Sequence, residues 1–196
     1  MFGTYEEIQE FLNQFRNKEI ADYTEQDLQN LSLAHRQNKD QALSIQLQKE
    51  LSMPQSQANT LAHYSCKLIS TYLQLFYLKA TKLSYSMWYL AGKNRKWWSE
   101  SNPGFMNVKT VDILKELYPQ VTYNQIDLYE DFLASDKFYY QIRIKVIDEG
   151  GDYDHSIPVY NVGDGKRIAD VSYRTPGDST EKWINKNNFL YASYLL

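Results

Sequence analysis

The stretch from Pro54 to Trp98 constrains the fold more than any other part of the sequence. Its apolar residues recur at helical spacing in two adjacent rows. The first row contains Leu61, Leu68, Tyr72, Leu75, Leu83, Met87 and Leu90, and the second contains Ile69, Leu73, Phe76 and Ala80. Because polar residues leave only a narrow strip, such a helix has to be covered on most sides. We therefore predict one long, aromatic-rich central helix over residues 54–98.

Capping boxes mark two earlier helix starts. In a capping box, a threonine hydroxyl accepts a hydrogen bond from a first-turn N–H, and an acidic side chain accepts one from the threonine N–H. The two boxes are Thr4 with Glu7 and Thr24 with Asp27. The first helix should end near Asn17–Lys18, and the second segment should reach Leu51 with a break at Asn38-Lys39-Asp40. Two shorter helices are predicted at Lys109–Leu117 and Asn124–Ala134.

Beyond Asp136 the apolar residues alternate with polar ones, which is typical of half-buried strands. Strands are predicted at Tyr140–Val146, Ile157–Val162 and Arg167–Arg174, with turns at Asp148–Asp152 and Gly163–Gly165. The last segment, Phe189–Leu196, is apolar throughout. We expect it to dock in its own sheet, and docking against another subunit is the alternative.

Helices followed by strands indicate an α+β fold rather than an alternating α/β fold. The predicted organisation is a helical part over residues 1–136, built on the long helix 54–98, and an antiparallel β meander over residues 137–196. The sequence leaves open whether the two parts share one core.

Composition limits the classes of function. A net charge of −3 provides no overall attraction to nucleic acid or to an anionic membrane. A single cysteine excludes an internal disulfide and a cysteine-based zinc site. The sequence contains neither a signal-peptide pattern nor an uncharged apolar stretch long enough for a membrane span. We expect a protein of the cytoplasm or of a virion, with no membrane partner and no secretion through a signal peptide.

A basic and aromatic cluster is the most suggestive local motif: Lys93, Arg95, Lys96, Trp97 and Trp98. Cations that contact phosphates beside rings that stack on bases are typical of single-stranded nucleic-acid sites. The same residues also suit a helix C-terminus, where cations complement the helix dipole and tryptophans cover a core. Nucleic-acid binding is therefore an alternative hypothesis.

An acidic cluster surrounds the first glycine turn: Asp148, Glu149, Asp152, Asp154 and His155. Its spacing does not match a calcium loop, and hairpin turns commonly contain such residues. Cys66 lies three residues after His63, which helical geometry alone explains, and we expect Cys66 to be a small buried hydrophobe. Since no catalytic, phosphate-binding or metal motif occurs, the sequence predicts no catalytic residue, no cofactor and no metal.

The absence of motifs and the 17 tyrosines favour a non-enzymatic assembly subunit of a larger complex, for example a phage connector or neck-ring component. A codon-biased genome would also explain the tyrosines. The predicted interface anchors are Tyr72, Tyr77, Tyr85, Trp88 and Trp97, which would contact further protein subunits in an oligomer. An enzyme centred on Asp152, Asp154 and His155 is a third hypothesis.

Overall fold

The computed structural model of the chain describes residues 2–38, 40–99, 108–148, 151–162, 165–169, 172 and 174–196. Within these residues eight α-helices lie mostly in the N-terminal part and five strands mostly in the C-terminal part. The helices are α1 (Tyr5–Asn17), α2 (Glu25–Leu33), α3 (Ala42–Leu51), α4 (Gln55–Tyr64), α5 (Cys66–Tyr77), α6 (Tyr85–Asn94), α7 (Thr110–Leu117) and α8 (Tyr129–Ala134). Short 3-10 turns occur at Ile20–Asp22 and Thr180–Lys182. The predicted α+β class is confirmed.

The strands form one antiparallel sheet with the order β1-β5-β2-β3-β4. They are β1 (Tyr123–Ile126), β2 (Tyr139–Asp148), β3 (Gly151–Asn161), β4 (Lys166–Ile168) and β5 (Phe189–Leu195). β2 and β3 form a long hairpin, whereas β5 inserts between β1 and β2. The apolar C-terminal run therefore docks inside its own sheet, as expected.

The predicted helix over residues 54–98 is wrong as one element, because the structure divides it into α4, α5 and α6. α4 ends at Ser65, whose N–H and hydroxyl both bond to the Ala62 carbonyl, at 3.4 and 3.0 Å. After α5, Lys79 adopts the left-handed conformation that commonly follows the end of a helix, with φ 55°. Ser84 then begins α6 by accepting a hydrogen bond from the Met87 N–H. Local caps thus end each helix, although the apolar periodicity continues across them.

Backbone hydrogen bonds also mark the end of α5 beside Lys79. The N–H groups of Ala80 and Thr81 both bond to the Leu75 carbonyl, at 2.9 and 3.4 Å. A carbonyl of the last turn therefore finds its partners beyond the helix, and α5 stops at Tyr77.

Both predicted capping boxes are present, and α1 and α2 begin where they indicate. The predicted helix Asn124–Ala134 is wrong in its first half, where the chain forms β1 instead. β1 pairs along its whole length with β5, residue Tyr123 lying opposite Leu195. A partner strand that is distant in sequence therefore overrides the local helical pattern.

The predicted strands at Tyr140–Val146 and Ile157–Val162 are confirmed as the main parts of β2 and β3. Of the predicted strand 167–174, β4 (Lys166–Ile168) covers only the first two residues, and Asp170, Val171 and Tyr173 lie outside the described residues. Most of the predicted turn 163–165 also lies outside them.

Two apolar cores lie on either side of the sheet. The larger core joins the helices to one face of the sheet and includes Tyr139, Tyr160 and Leu195. The smaller core contains Phe132 of α8 with residues of the opposite face, such as Ile142 and Ile157. The larger core therefore takes residues from both sides of position 136, and α5, buried from Leu68 to Tyr77, lies where helices and sheet meet.

In the described part of the chain, no helix is both long enough and apolar enough to cross a membrane.

Candidate functional site

The five predicted interface anchors lie inside the chain's own core. The exposed fraction is at most 7% for each of Tyr72, Tyr77, Tyr85, Trp88 and Trp97. Tyr72 contacts the Tyr85 and Trp88 rings, with centroids 5.5 and 5.9 Å away. Because these side chains already pack against one another, we do not carry them forward as anchors for another chain.

The basic and aromatic cluster separates into exposed cations and buried rings. The cations are Lys93, Arg95 and Lys96, and the buried rings are Trp97 and Trp98. The Trp98 Nε1–H donates to the Tyr89 carbonyl at 2.7 Å, and Arg95 forms an ion pair with Glu116 at 3.2 Å. Since neither ring is open to a base, a nucleic acid bound here would be held by the cations alone.

The acidic cluster is paired with cations of the neighbouring strand. Asp152 forms an ion pair with Lys145 at 3.0 Å, and Asp154 forms one with Arg143 at 3.5 Å. Glu149 lies outside the described residues. Among the residues that the structure describes, no group of three or more His, Cys, Asp or Glu side chains is placed to hold a metal ion.

The structure brings Cys66 and His155 together, although they are far apart in sequence. Cys66 is the first residue of α5 and is partly exposed, and its thiol is hydrogen-bonded to the His155 side chain of β3. The Ser156 backbone N–H also donates to the Cys66 sulfur. One turn further along α5, the Ser70 hydroxyl lies 3.4 Å from the Ser156 carbonyl. The start of α5 therefore packs along the edge of β3.

Local sequence explains why the thiol lies at a helix start. Ser65 ends α4 and also serves as the N-cap residue of α5, but its side chain makes no capping hydrogen bond there. Its hydroxyl donates to the Ala62 carbonyl instead. The first-turn N–H groups of a helix lack partners within the helix and carry its positive dipole end. Cys66 therefore lies in the positive electrostatic field at the start of α5.

The surroundings of Cys66 stabilise its thiolate. Burial by itself would raise the pKa of the thiol. The hydrogen bond from His155 and the charge of that ring act in the opposite direction, and so do the Ser156 N–H and the Arg143 charge. The balance leaves the pKa of Cys66 below the ordinary value for cysteine.

His155 is held by a second contact. Its ring is 8% exposed, and its Nε2 atom lies 3.4 Å from the Ser172 hydroxyl. A thiol, an imidazole bonded to it and a third group that orients the imidazole are the parts of an activated sulfur nucleophile. The geometry therefore fits nucleophilic chemistry at Cys66.

Sequence reasoning missed this pair. The expectation that Cys66 is a buried hydrophobe is corrected, because the residue is partly exposed and its thiol is bonded to a histidine. His63, the histidine near it in sequence, is exposed and packs on the Tyr64 ring with centroids 4.8 Å apart. The available signal was a single cysteine on a predicted helix and a histidine between a predicted turn and a predicted strand. Neither position specifies a contact with the other.

Comparison of the chain with protein-family models, with curated proteins and with solved structures finds no match.

Proposed function

We propose that the chain is a thiol-dependent acyl-transfer enzyme in which Cys66 is the nucleophile and His155 is its general base. The observation that carries this is the hydrogen bond between the Cys66 thiol and the His155 ring at the start of α5. A cysteine that is partly exposed and whose thiol has a lowered pKa is the form that reacts. The contact between His155 and Ser172 would keep the imidazole ring oriented toward the Cys66 sulfur.

In the proposed reaction His155 takes the thiol proton, and the thiolate attacks the carbonyl carbon of an ester, thioester or amide. First-turn N–H groups of α5 would donate to the oxyanion that forms. The imidazolium returns the proton to the leaving group as its bond to carbon breaks, which leaves an acyl thioester on Cys66. Water or another nucleophile, deprotonated by His155, then takes the acyl group and restores the thiol.

The test uses the fact that Cys66 is the only cysteine. Iodoacetamide alkylation, followed by intact mass over a pH series, reports on this thiol alone. In the unsubstituted protein the rate should reach half its maximum below the ordinary thiol pKa, and His155→Ala should move that midpoint upward. His63→Ala is the matched control, since His63 is also near Cys66 in sequence but exposed.

Acyl transfer itself is tested with p-nitrophenyl acetate. The mass of the protein should increase by one acetyl group, and Cys66→Ala should abolish the increase. A thiol midpoint at or above the ordinary value, or one that His155→Ala does not move, would overturn the proposal. So would exposure to the ester that neither adds an acetyl group to the protein nor releases p-nitrophenolate faster than the Cys66→Ala variant does.

The assembly function that the sequence predicts stays a prediction, and one observation favours a protein partner. The tip of the β2–β3 hairpin exposes Ile147 and Tyr153, which are 73% and 41% exposed. Light scattering at low and moderate salt would detect self-assembly through such a surface. A defined oligomer lost on Ile147→Asp would support it, and a monomer at all concentrations would exclude self-assembly.

A further inference from the structure

Two cations lie beside the Cys66–His155 pair. Lys67 follows Cys66 in α5 and is partly exposed. Arg143 lies on β2 directly opposite Ser156, and its Nη1 donates to the Ser156 hydroxyl at 2.9 Å. Because Ser156 also contacts the Cys66 sulfur through its N–H, Arg143 reaches the same edge of β3 as the thiol.

Asp154 is a single carboxylate near two cations, and its charge acts on Lys67 as well as on Arg143. Asp154 forms an ion pair with Arg143 at 3.5 Å, and its side chain is 49% exposed. Within the described part of the chain, no carboxylate forms an ion pair with Lys67. Burial lowers the pKa of Lys67 and the Arg143 charge adds to this, whereas the charges of Cys66 and Asp154 oppose it. The surroundings of the thiol therefore carry surplus positive charge.

We infer that Lys67 and Arg143 form an anion subsite beside Cys66, and that the acyl substrate carries a carboxylate close to its reactive carbonyl. This inference rests on the proposed function, because it names the substrate class of the same site. A bound carboxylate would replace the missing partner of Lys67 and relieve its repulsion with Arg143. It would also hold the carbonyl carbon near the sulfur.

Two alkylating reagents of nearly the same shape test the subsite without requiring turnover. Iodoacetate carries a carboxylate, whereas iodoacetamide is neutral, and both react with the single thiol. The quantity measured is the ratio of their rates, divided by the same ratio for free N-acetylcysteine. We expect this normalised ratio to be about 5 at low salt and to decrease toward one as salt screens the partly exposed cations.

Lys67→Gln should bring the normalised ratio close to one, since glutamine retains a long polar side chain without the charge. Arg143→Gln should lower it as well, and Arg143→Lys should largely restore it. Lys145→Gln is the matched control, because Lys145 is a cation of the same strand that pairs with Asp152. It should leave the ratio unchanged.

The outcomes separate the two proposals. Fast iodoacetamide alkylation that depends on His155, with a normalised ratio near one, would overturn the anion subsite and keep the nucleophile. Slow alkylation by both reagents would overturn the nucleophile and, with it, the subsite. A raised ratio that Lys67→Gln leaves unchanged would also overturn the subsite as assigned.

Discussion

The buried His35 ring should make the protein unstable in mild acid. His35 follows α2, is fully buried, and its Nδ1 lies 2.9 Å from the Leu31 carbonyl. Its ring packs on Tyr72 and Phe76, with centroids 5.6 and 6.1 Å away. Burial lowers the pKa of His35 from 6.5 to about 4, the hydrogen bond to Leu31 opposes this, and the Arg16 charge adds to it.

The direction in which pH changes the stability depends on which state of the chain binds the proton at His35. Between the folded pKa of about 4 and the unfolded pKa of 6.5, the unfolded chain binds a proton at His35 that the folded chain does not. Stability is therefore complete above 6.5 and is lost as the pH falls toward 4. At 1.36 kcal/mol per pKa unit, the loss amounts to about 3 kcal/mol. That is a large share of the free energy of unfolding of a typical domain, which is about 5–15 kcal/mol.

Urea unfolding across this pH range measures the loss, with His35→Gln as the comparison. Glutamine can still donate to the Leu31 carbonyl but does not titrate. The free energy of unfolding of the unsubstituted protein should decrease by about 2–3 kcal/mol more than that of the variant between pH about 7 and pH about 4.5. All other ionisable groups are the same in the two proteins, so their contributions cancel in the difference. Equal pH dependence in the two proteins would refute the reasoning.

Two further predictions concern packing. Gly92→Ala should destabilise the protein by more than about 2 kcal/mol, because the new Cβ would lie 2.2 Å from the Trp98 ring. Gly3→Ala is the control, because its Cβ would meet only Glu7, at 3.6 Å. Equal melting temperatures for the two variants would contradict this. Phe132→Ala should cost about 3–5 kcal/mol in urea unfolding, because Phe132 is fully buried in the smaller core. A cost below about 1 kcal/mol would show that this core does not form.

Features that depend on neighbours in sequence could be predicted. Thr4 and Thr24 mark real helix starts because a capping box is complete within four residues. The alternation of apolar and polar residues in Tyr140–Val146 identified a strand because the two faces of that strand lie in different surroundings. The breaks at Ser65 and Lys79 were missed because α4, α5 and α6 are all covered, so apolar spacing continues from one helix to the next.

Features that depend on distant partners could not be predicted. Tyr123–Ile126 forms a strand only because β5 lies beside it. For Trp97 and Trp98 the sequence left open a surface role and a place over the core, because tertiary packing decides which way a tryptophan points. The pairing of Cys66 with His155 joins a helix start to a strand edge, and neither sequence neighbourhood carries a signature of the other.

The position of β5 has a consequence for the order of folding. β5 follows every other strand along the chain, yet it occupies the place between β1 and β2. During synthesis, β1 therefore remains without a partner strand until residues 189–195 have left the ribosome. Pairings over such sequence distances form slowly. The helices can collapse early, but the sheet closes only in the last step, and a nascent chain that stalls before β5 exposes the edges of both β1 and β2.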